Sequence, residues 1–425
     1  MDWNTSGNWS GSFPPATADD VRITNDLGSA QLITNMGGAS AIGATNTINF
    51  LAISNGLGSA SITVQQAAGV IWRSNFGLQL GKNATLILTT NAFIGTNQFA
   101  TIDLRAGGQP GTLILSNASP GSGFSAFINT AGSNPVVNAG TIQFSPVNNQ
   151  LVSINYGQTT AFTNNANGTV VMSGSGTGAF IGNFGSGNRA VVNSGSIFVR
   201  AGTLRIDSRD AFSRGGFQNS ATGFIQVDTG GVLEIRRTTN AWVNGPTVTN
   251  SGNVFMNGGA VVAFDLDQGG VALRTNVSRI VANLGTIGGS GTIYASLNNG
   301  TNSFLVPGGV GLGTLNVGGN VTFGSNSTFV VELGLLAGQN DLLAVSSNLT
   351  LNAASILNIS GGAVGNVYTV ATFSALSGVF STVTPSYSVT YNPTNIEITM
   401  VPEPSSLLLA AIGLAGLVAY RRRKH

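Results

Sequence analysis

The sequence predicts an all-β protein built as a parallel β-helix, a β-solenoid of about 28 residues per coil. Three observations predict it: a composition poor in charge and rich in glycine, an internal repeat, and short strands of alternating polarity inside each repeat. Only 8% of the 425 residues are charged, while glycine alone contributes 60. Typical soluble proteins carry roughly three times that share of charge. The 42% hydrophobic content is enough for a substantial core. Ile, Leu, Val and Phe recur at regular intervals, which separates this chain from a disordered polar one of equally low charge.

The repeat is visible in "NAGTIQF" (138–144), "NANGTVVM" (165–172), "NSGSIFV" (193–199), "NSATGFIQV" (219–227), "NSGNVFM" (250–256) and "NLGTIGG" (283–289). Each is an Asn-containing turn, a glycine and a short strand. From Gly111 the opening glycines continue at Gly140, Gly168, Gly195, Gly223, Gly252 and Gly285, in steps of 29, 28, 27, 28, 29 and 33 residues. A less regular series upstream passes through Ala84 and Ala60. A second glycine-led strand follows at Gly202, Gly231, Gly259 and Gly291. Two short strands, a tight bend and a longer return make one solenoid turn.

Alternation assigns the faces. Ile142 and Phe144 share one side of their strand, as do Leu113 with Leu115, Ile197 with Val199, Ile225 with Val227, and Val254 with Met256. Stacked at about 4.8 Å per coil, these pairs predict aliphatic ladders inside, with Ser, Thr, Asn and Gln outside. Glycine and Asn are expected to supply positive-φ geometry at the corners. Roughly ten coils would make a rod about 50 Å long. A β-sandwich or stacked antiparallel sheets stand as the alternative. Helices are excluded before Ser405, because glycine interrupts nearly every window.

From about Leu297 the repeat loosens, and Gly365 to Met400 reads as strands paired through Pro- and Asn-bearing turns, a cap for the open end. The predicted division is therefore solenoid repeats over 1–296, looser coils and a β cap over 297–400, and a separate segment over 401–425. The Pro307-Gly308 to "GTLNV" (313–317) stretch, with "VVEL" (330–333) and "DLLAV" (341–345), resembles the β-helical passenger of autotransporter-type proteins. "WNTSGNWS" (3–10) and "PPATADDVRI" (14–23) resemble the opening of an autotransporter-associated β-strand repeat. Membrane-barrel strands follow the passenger in that family. None is seen here, so export is expected to use another route.

Charge and residue counts exclude several functions. Four of the 17 basic residues and one of the 15 acidic ones lie in 401–425, leaving 13 and 14 for residues 1–400, a net of −1. That is no footprint for nucleic acid. There is no cysteine, and the single histidine is His425, so Ser-His-Asp and Cys-His nucleophiles are excluded from the body. No metal site and no cofactor are expected. The acidic pairs Asp207/Asp210 and Asp265/Asp267 read as solvated strand-end carboxylates, with a cation site as the sharper alternative. The richest charged stretch carries Arg200, Arg236 and Arg237, a candidate patch for an anionic glycan. Aligning "GTLRI" with "GVLEI" places Arg205 and Glu234 one coil apart on the same outward row, an ion pair worth at most about 1 kcal/mol.

The chain closes on "VPEPSSLLLAAIGLAGLVAYRRRKH" (401–425). An apolar run, Leu407, Leu408, Leu409, Ala410, Ala411, Ile412, Gly413, Leu414, Ala415, Gly416, Leu417, Val418, Ala419 and Tyr420, is followed by the basic cluster Arg421, Arg422, Arg423 and Lys424. This reads as a transmembrane helix, marginal at about 21 Å against a hydrocarbon core of about 30 Å. The basic end is expected to stay cytoplasmic, with the body outside the inner membrane.

The order Pro-Glu-Pro, short apolar helix and arginine cluster resembles the PEP-CTERM sorting signal of Gram-negative bacteria. The resemblance implies that Pro402, Glu403 and Pro404 are the recognition motif and that Arg421, Arg422 and Arg423 are the stop-transfer cluster. It implies a transient membrane anchor cut near the motif by an exosortase, a membrane protease, and delivery to the cell surface or extracellular matrix. It also implies an N-terminal secretion signal. Residues 1–23 have neither a basic nor an apolar leader region, so a leader is expected upstream of Met1.

These readings converge on an exported, non-enzymatic solenoid with a structural or adhesive task and exopolysaccharide as a candidate partner. A polysaccharide-binding or polysaccharide-degrading β-helix is the alternative.

Overall fold

The computed structural model describes residues 20–24, 31–36, 45–54, 61–66, 71–81, 83–89, 97–99, 102–103, 111–116, 127–130, 136–147, 150–156, 162–182, 191–210, 216–239, 248–266, 280–401 and 404–422. Its 39 strands belong to one hydrogen-bonded sheet. The sheet is wound as a parallel β-solenoid, as the repeat predicts. A regular coil contains three strands, such as Val191–Asn193, Ser196–Val199 and Gly202–Asp210. Each pairs in parallel with its counterpart one coil on: Phe217–Asn219, Phe224–Asp228 and Gly231–Thr239.

The glycine-led ladder is the one the sequence predicts most closely. Thr112, Thr141, Thr169, Ser196, Phe224, Asn253 and Thr286 are successive register partners, so the steps between coils equal the steps between the opening glycines. Upstream, Thr85 faces Thr112 and Thr63 faces Thr85. Downstream, Thr286 faces Phe304, a coil of only 18 residues. Eight rungs thus run from Thr112–Ser116 to Phe304–Pro307, and the pairing passes residue 297 without a break. The predicted inward pairs are all buried, from Leu113/Leu115 to Val254/Met256, within one continuous core.

The short strand ending in Asn is a strand and not a turn, which corrects the corner role expected for that residue. Asn138, Asn164, Asn193, Asn219, Asn250, Asn283 and Asn299 are each at most 1% exposed. Each of the first six donates from Nδ2 to Oδ1 of the next, at 2.6 to 2.8 Å. Asn138, Asn250 and Asn283 also donate from Nδ2 to the carbonyls of Thr169, Thr286 and Phe304, at 3.0 Å. A buried amide left unpaired would cost about 1–3 kcal/mol per group. Parallel stacking removes that cost, because each coil brings an identical amide within hydrogen-bond reach. Among the described residues, positive-φ asparagines are Asn83, Asn302 and Asn326, all outside this ladder.

The repeat glycines are likewise required by contact and not by φ. None of Gly140, Gly168, Gly195, Gly223, Gly252 or Gly285 has positive φ. A Cβ on Gly195 would collide with the Gly168 carbonyl oxygen, and one on Gly252 with that of Gly223. Bend stacks on bend too closely for a side chain. Gly230, at φ +80° with open space around its Cβ direction, is the conventional turn glycine.

The Asn ladder ends where its next register position is Phe323. Asn299 Nδ2 is buried there without a partner. Phe323 lies 5.6 Å from Phe329 and 5.9 Å from Phe380 between ring centroids, and its own register partner one coil on is Leu351, so the position turns apolar beyond Asn299. At the far end the pairing turns antiparallel. Val367–Thr372 continues the parallel ladder from Leu342–Val345 and pairs antiparallel with Asn395–Met400, which also pairs antiparallel with Tyr387–Tyr391. Ile396 and Ile398 of the capping strand are fully buried.

Replacing Asn193 with Leu keeps the branched shape, at somewhat larger volume, but strands the Asn164 donor and the Asn219 acceptor. A loss of about 2–5 kcal/mol is expected, read as faster amide exchange in the flanking coils and a lower denaturation midpoint; an unchanged midpoint would refute the ladder's energetic role. Gly195→Ala is expected to destabilise more than Gly230→Ala, whose cost is about 1–2 kcal/mol. The reverse order in urea titrations would show that φ, and not coil contact, selects glycine at the bends.

Candidate functional site

The charged stretch folds into the long strands Gly202–Asp210 and Gly231–Thr239, whose register places opposite charges side by side. Arg205 faces Glu234, and Asp207 faces Arg236. Arg237 faces Asp265 of the next strand, Asn253–Leu266. The ion pair expected from the repeat alignment is present: Arg205 Nε lies 2.7 Å from Glu234 Oε2. Arg236 Nη2 joins it, 2.9 Å from Glu234 Oε1. Burial alone would raise the Glu234 carboxyl, but the hydrogen bonds and charges of Arg205 and Arg236 outweigh it and hold Glu234 below its ordinary value.

Of the candidate glycan patch, the side chains of Arg200 and Arg236 are described. Arg200 is exposed at a bend, its guanidinium 5.4 Å from the centroid of the Phe198 ring. Gly202 and Gly231 are register partners, so Arg200 and Arg236 are about seven residues apart along the coil, around that bend. Arg236 is partly buried on Glu234. The side chains of Arg237, Asp210 and Asp265, and all of Asp267, lie outside the described residues.

Sequence reasoning passed over Asp341, a buried carboxylate one coil beyond Gly313. Its Oδ1 accepts from the Gly313 N–H at 3.0 Å and its Oδ2 from the Glu332 N–H at 2.9 Å. It therefore ties together the loops that follow Pro307 and Leu333. Burial pushes its carboxyl from 3.8 up to about 6, against the pull of the Glu332 and Gly313 hydrogen bonds, with the Glu332 charge adding to the rise. The signal available in sequence was its register alignment with Gly313, a position where a carboxylate meets a loop N–H.

At the C-terminus, Pro404–Arg422 is a helix of 19 residues, opened by Pro404, whose fixed φ suits the first helical turn. Pro402, Glu403, Arg423 and Lys424 lie outside the described residues. The apolar side chains described on this helix face away from the body: Leu409 is 75% exposed, Leu414 71% and Leu417 63%. The expected transmembrane span is not supported. Among the described residues no helix is long and apolar enough to cross a membrane. The reason is length: Leu407 to Tyr420 covers about 21 Å, and the helix gains its remaining turns from Pro404-Ser405-Ser406 and two arginines. Membrane anchoring through this helix loses its basis with the span.

Asp341 and Glu234 give opposite pH responses. A carboxyl raised in the folded state contributes stability that is full below 3.8 and lost as pH rises through about 6. Glu234, lowered, contributes stability present above 4.5 and lost as pH falls through its lowered value. Raising pH from about 5 to about 8 is therefore expected to weaken the coils around Asp341, by on the order of 1–3 kcal/mol. Asp341→Asn should abolish that dependence in amide exchange over residues 313–345; an unaltered slope in the variant would locate its source elsewhere.

No curated protein matches the chain. The sequence does match one family of short signals, over a stretch that begins at the end of the cap and includes the exposed helix. Residues 401–424 carry the PEP-CTERM protein-sorting motif.

Proposed function

We propose that this protein is a structural or adhesive element of the bacterial surface or extracellular matrix, acting through the sides of its solenoid and not as an enzyme. The sorting motif implies export to the cell surface and transient handling by an exosortase. The observation that carries the reading is the juxtaposition at residue 401. The capping strand Asn395–Met400 completes the body, and an apolar helix, exposed at each of its described side chains, starts three residues after Val401. A helix exposing Leu409, Leu414 and Leu417 is a handle for another apolar partner. The remaining body is self-sufficient: capped, close to neutral, and built from side chains that present no nucleophile of the Cys-His or Ser-His-Asp kinds.

The test follows the tail and the body separately in a host that possesses the processing enzyme. The native chain is expected to reach the surface fraction without residues at its C-terminal end, seen by intact mass. Replacing Pro402, Glu403 and Pro404 together with Ala is expected to leave the tail in place and reduce surface protein about tenfold or more. Surface delivery of the variant at native levels would remove the sorting motif from the account.

A further inference from the structure

The corner at which the tail leaves the body carries an apolar ridge that has no task in the sorting reading. Three loops, 308–313, 334–341 and 362–366, link corresponding strands of successive coils. They follow Phe304–Pro307, Thr328–Leu333 and Ile356–Gly361, which pair in parallel, and lead into Thr314–Val317, Leu342–Val345 and Val367–Thr372, which do the same. The loops are therefore stacked at one corner of the rod, one per coil. Their polar groups are turned inward. Asp341 accepts from the Gly313 and Glu332 N–H groups, Asn366 Nδ2 donates to the Leu335 carbonyl at 3.1 Å, and Tyr368 Oη donates to the Gly334 carbonyl at 2.8 Å. A Cβ on Gly309 would collide with the Phe255 ring, so the first loop lies flat against the body.

The large side chains of these loops point to solvent. Val310 is 95% exposed, and Leu312, Leu335, Leu336, Val364 and, at the start of the last strand, Val367 are exposed as well. Single residues of this kind are ordinary on a surface. Stacked on adjoining loops they make one apolar strip, the mark of a surface that something covers. No charged residue stands at 308–313, 334–340 or 362–366, so the covering partner is apolar too.

The tail begins on this ridge. Met400 bridges Val364 and its carbonyl accepts from the Gly365 N–H at 3.2 Å, so Val401 leaves from beside the third loop. Beyond it runs Pro404–Arg422, with Leu409, Ile412, Leu414 and Leu417 exposed. At 1.5 Å per residue this 19-residue helix is about 28 Å long, and two coil steps give the ridge about 10 Å, so half the helix spans it. Two apolar surfaces this close on one chain meet at an effective concentration of about millimolar, which a second copy at micromolar concentration does not match. The extended arrangement is the form in which another partner takes the tail. We propose a second, docked form, in which the C-terminal helix lies back along the ridge and covers Val310, Leu335 and Leu336. The body then shields its own tail until a stronger apolar partner lifts it away. Docking needs only the uncut chain, whatever becomes of the sorting motif in the cell.

Amide exchange over residues 405–420 of the purified, uncut full-length chain reads the docked form. An undocked helix gains nothing from packing and opens readily in water. Docking is expected to slow exchange there about tenfold or more relative to the variant Leu335→Asp with Leu336→Asp, independently of protein concentration. Both side chains are exposed, so the fold should survive the change. Native exchange over 342–345 checks that it does, and Val310→Asp serves if the double variant disturbs those residues. Equally fast exchange in the native chain and the variant would overturn the proposal, as would slowing that neither variant removes. Slowing that grows with protein concentration would give the ridge to the tail of another copy and overturn it too. Surface delivery is read separately by cell fractionation, so the sorting reading and the docked tail can each fail without the other.

Discussion

A single row of amides decides how the coils of this protein can stack. The Asn ladder from Asn138 to Asn299 lies inside a hydrophobic core, where an unpaired amide is costly, and it is satisfied only when every coil presents its Asn at the same height and angle as the last. Aliphatic ladders tolerate sliding, because one Ile packs on Val or Leu nearly as well as on Ile. Amides do not. The register of the short strands is therefore fixed by polar geometry, and the aliphatic pairs of the neighbouring ladder are held in line by it. The glycines at the bends follow from the same demand: amides within hydrogen-bond reach require backbone bends in contact, and contact leaves no room for a Cβ.

Much of this architecture was legible from sequence, and the reasons differ by element. The coil period, the inward pairs and the Arg205–Glu234 contact were readable because in-register parallel stacking maps repeat alignment directly onto spatial neighbours. The function of the repeated Asn was not, because Asn before Ser-Gly or Ala-Gly has the local signature of a turn, and three residues are too few for alternation to show a strand. Only the knowledge that the side chain points inward separates the two. A related limit applies to Asp341, whose partners are backbone groups one coil away and nine residues back, so that its register alignment with Gly313 is the one trace it leaves in sequence. The membrane span expected at the C-terminus meets a limit of length: the apolar run is about 9 Å short of a hydrocarbon core.

The chain's charges are distributed with economy. Where arginines cluster, register supplies an acid opposite, so the long-strand face has charge without a strong field. On the glycine-led face charge is nearly absent. Four further basic residues follow one another at 421–424, beyond the cap, in the part that the sorting motif marks for handling apart from the body. What is asked of the body and what is asked of the tail are thus separated in sequence, in structure and in electrostatics.

Every amide in the ladder points the same way, its Nδ2 toward the following coil, so the row begins with an acceptor and finishes with a donor. At the first end, Asn138 Oδ1 is met by the N–H of Gly140; at the other, Asn299 Nδ2 is the one loose group. A coil gained or lost anywhere between, carrying its own Asn and Gly, leaves those two ends unchanged. Its insertion creates no new unsatisfied amide in the row, and its bends repeat those already stacked. The rod can thus change length in whole coils by duplication or deletion at almost no energetic penalty, while a change of half a coil would break the row, which makes length the most evolvable property of the molecule and register the least.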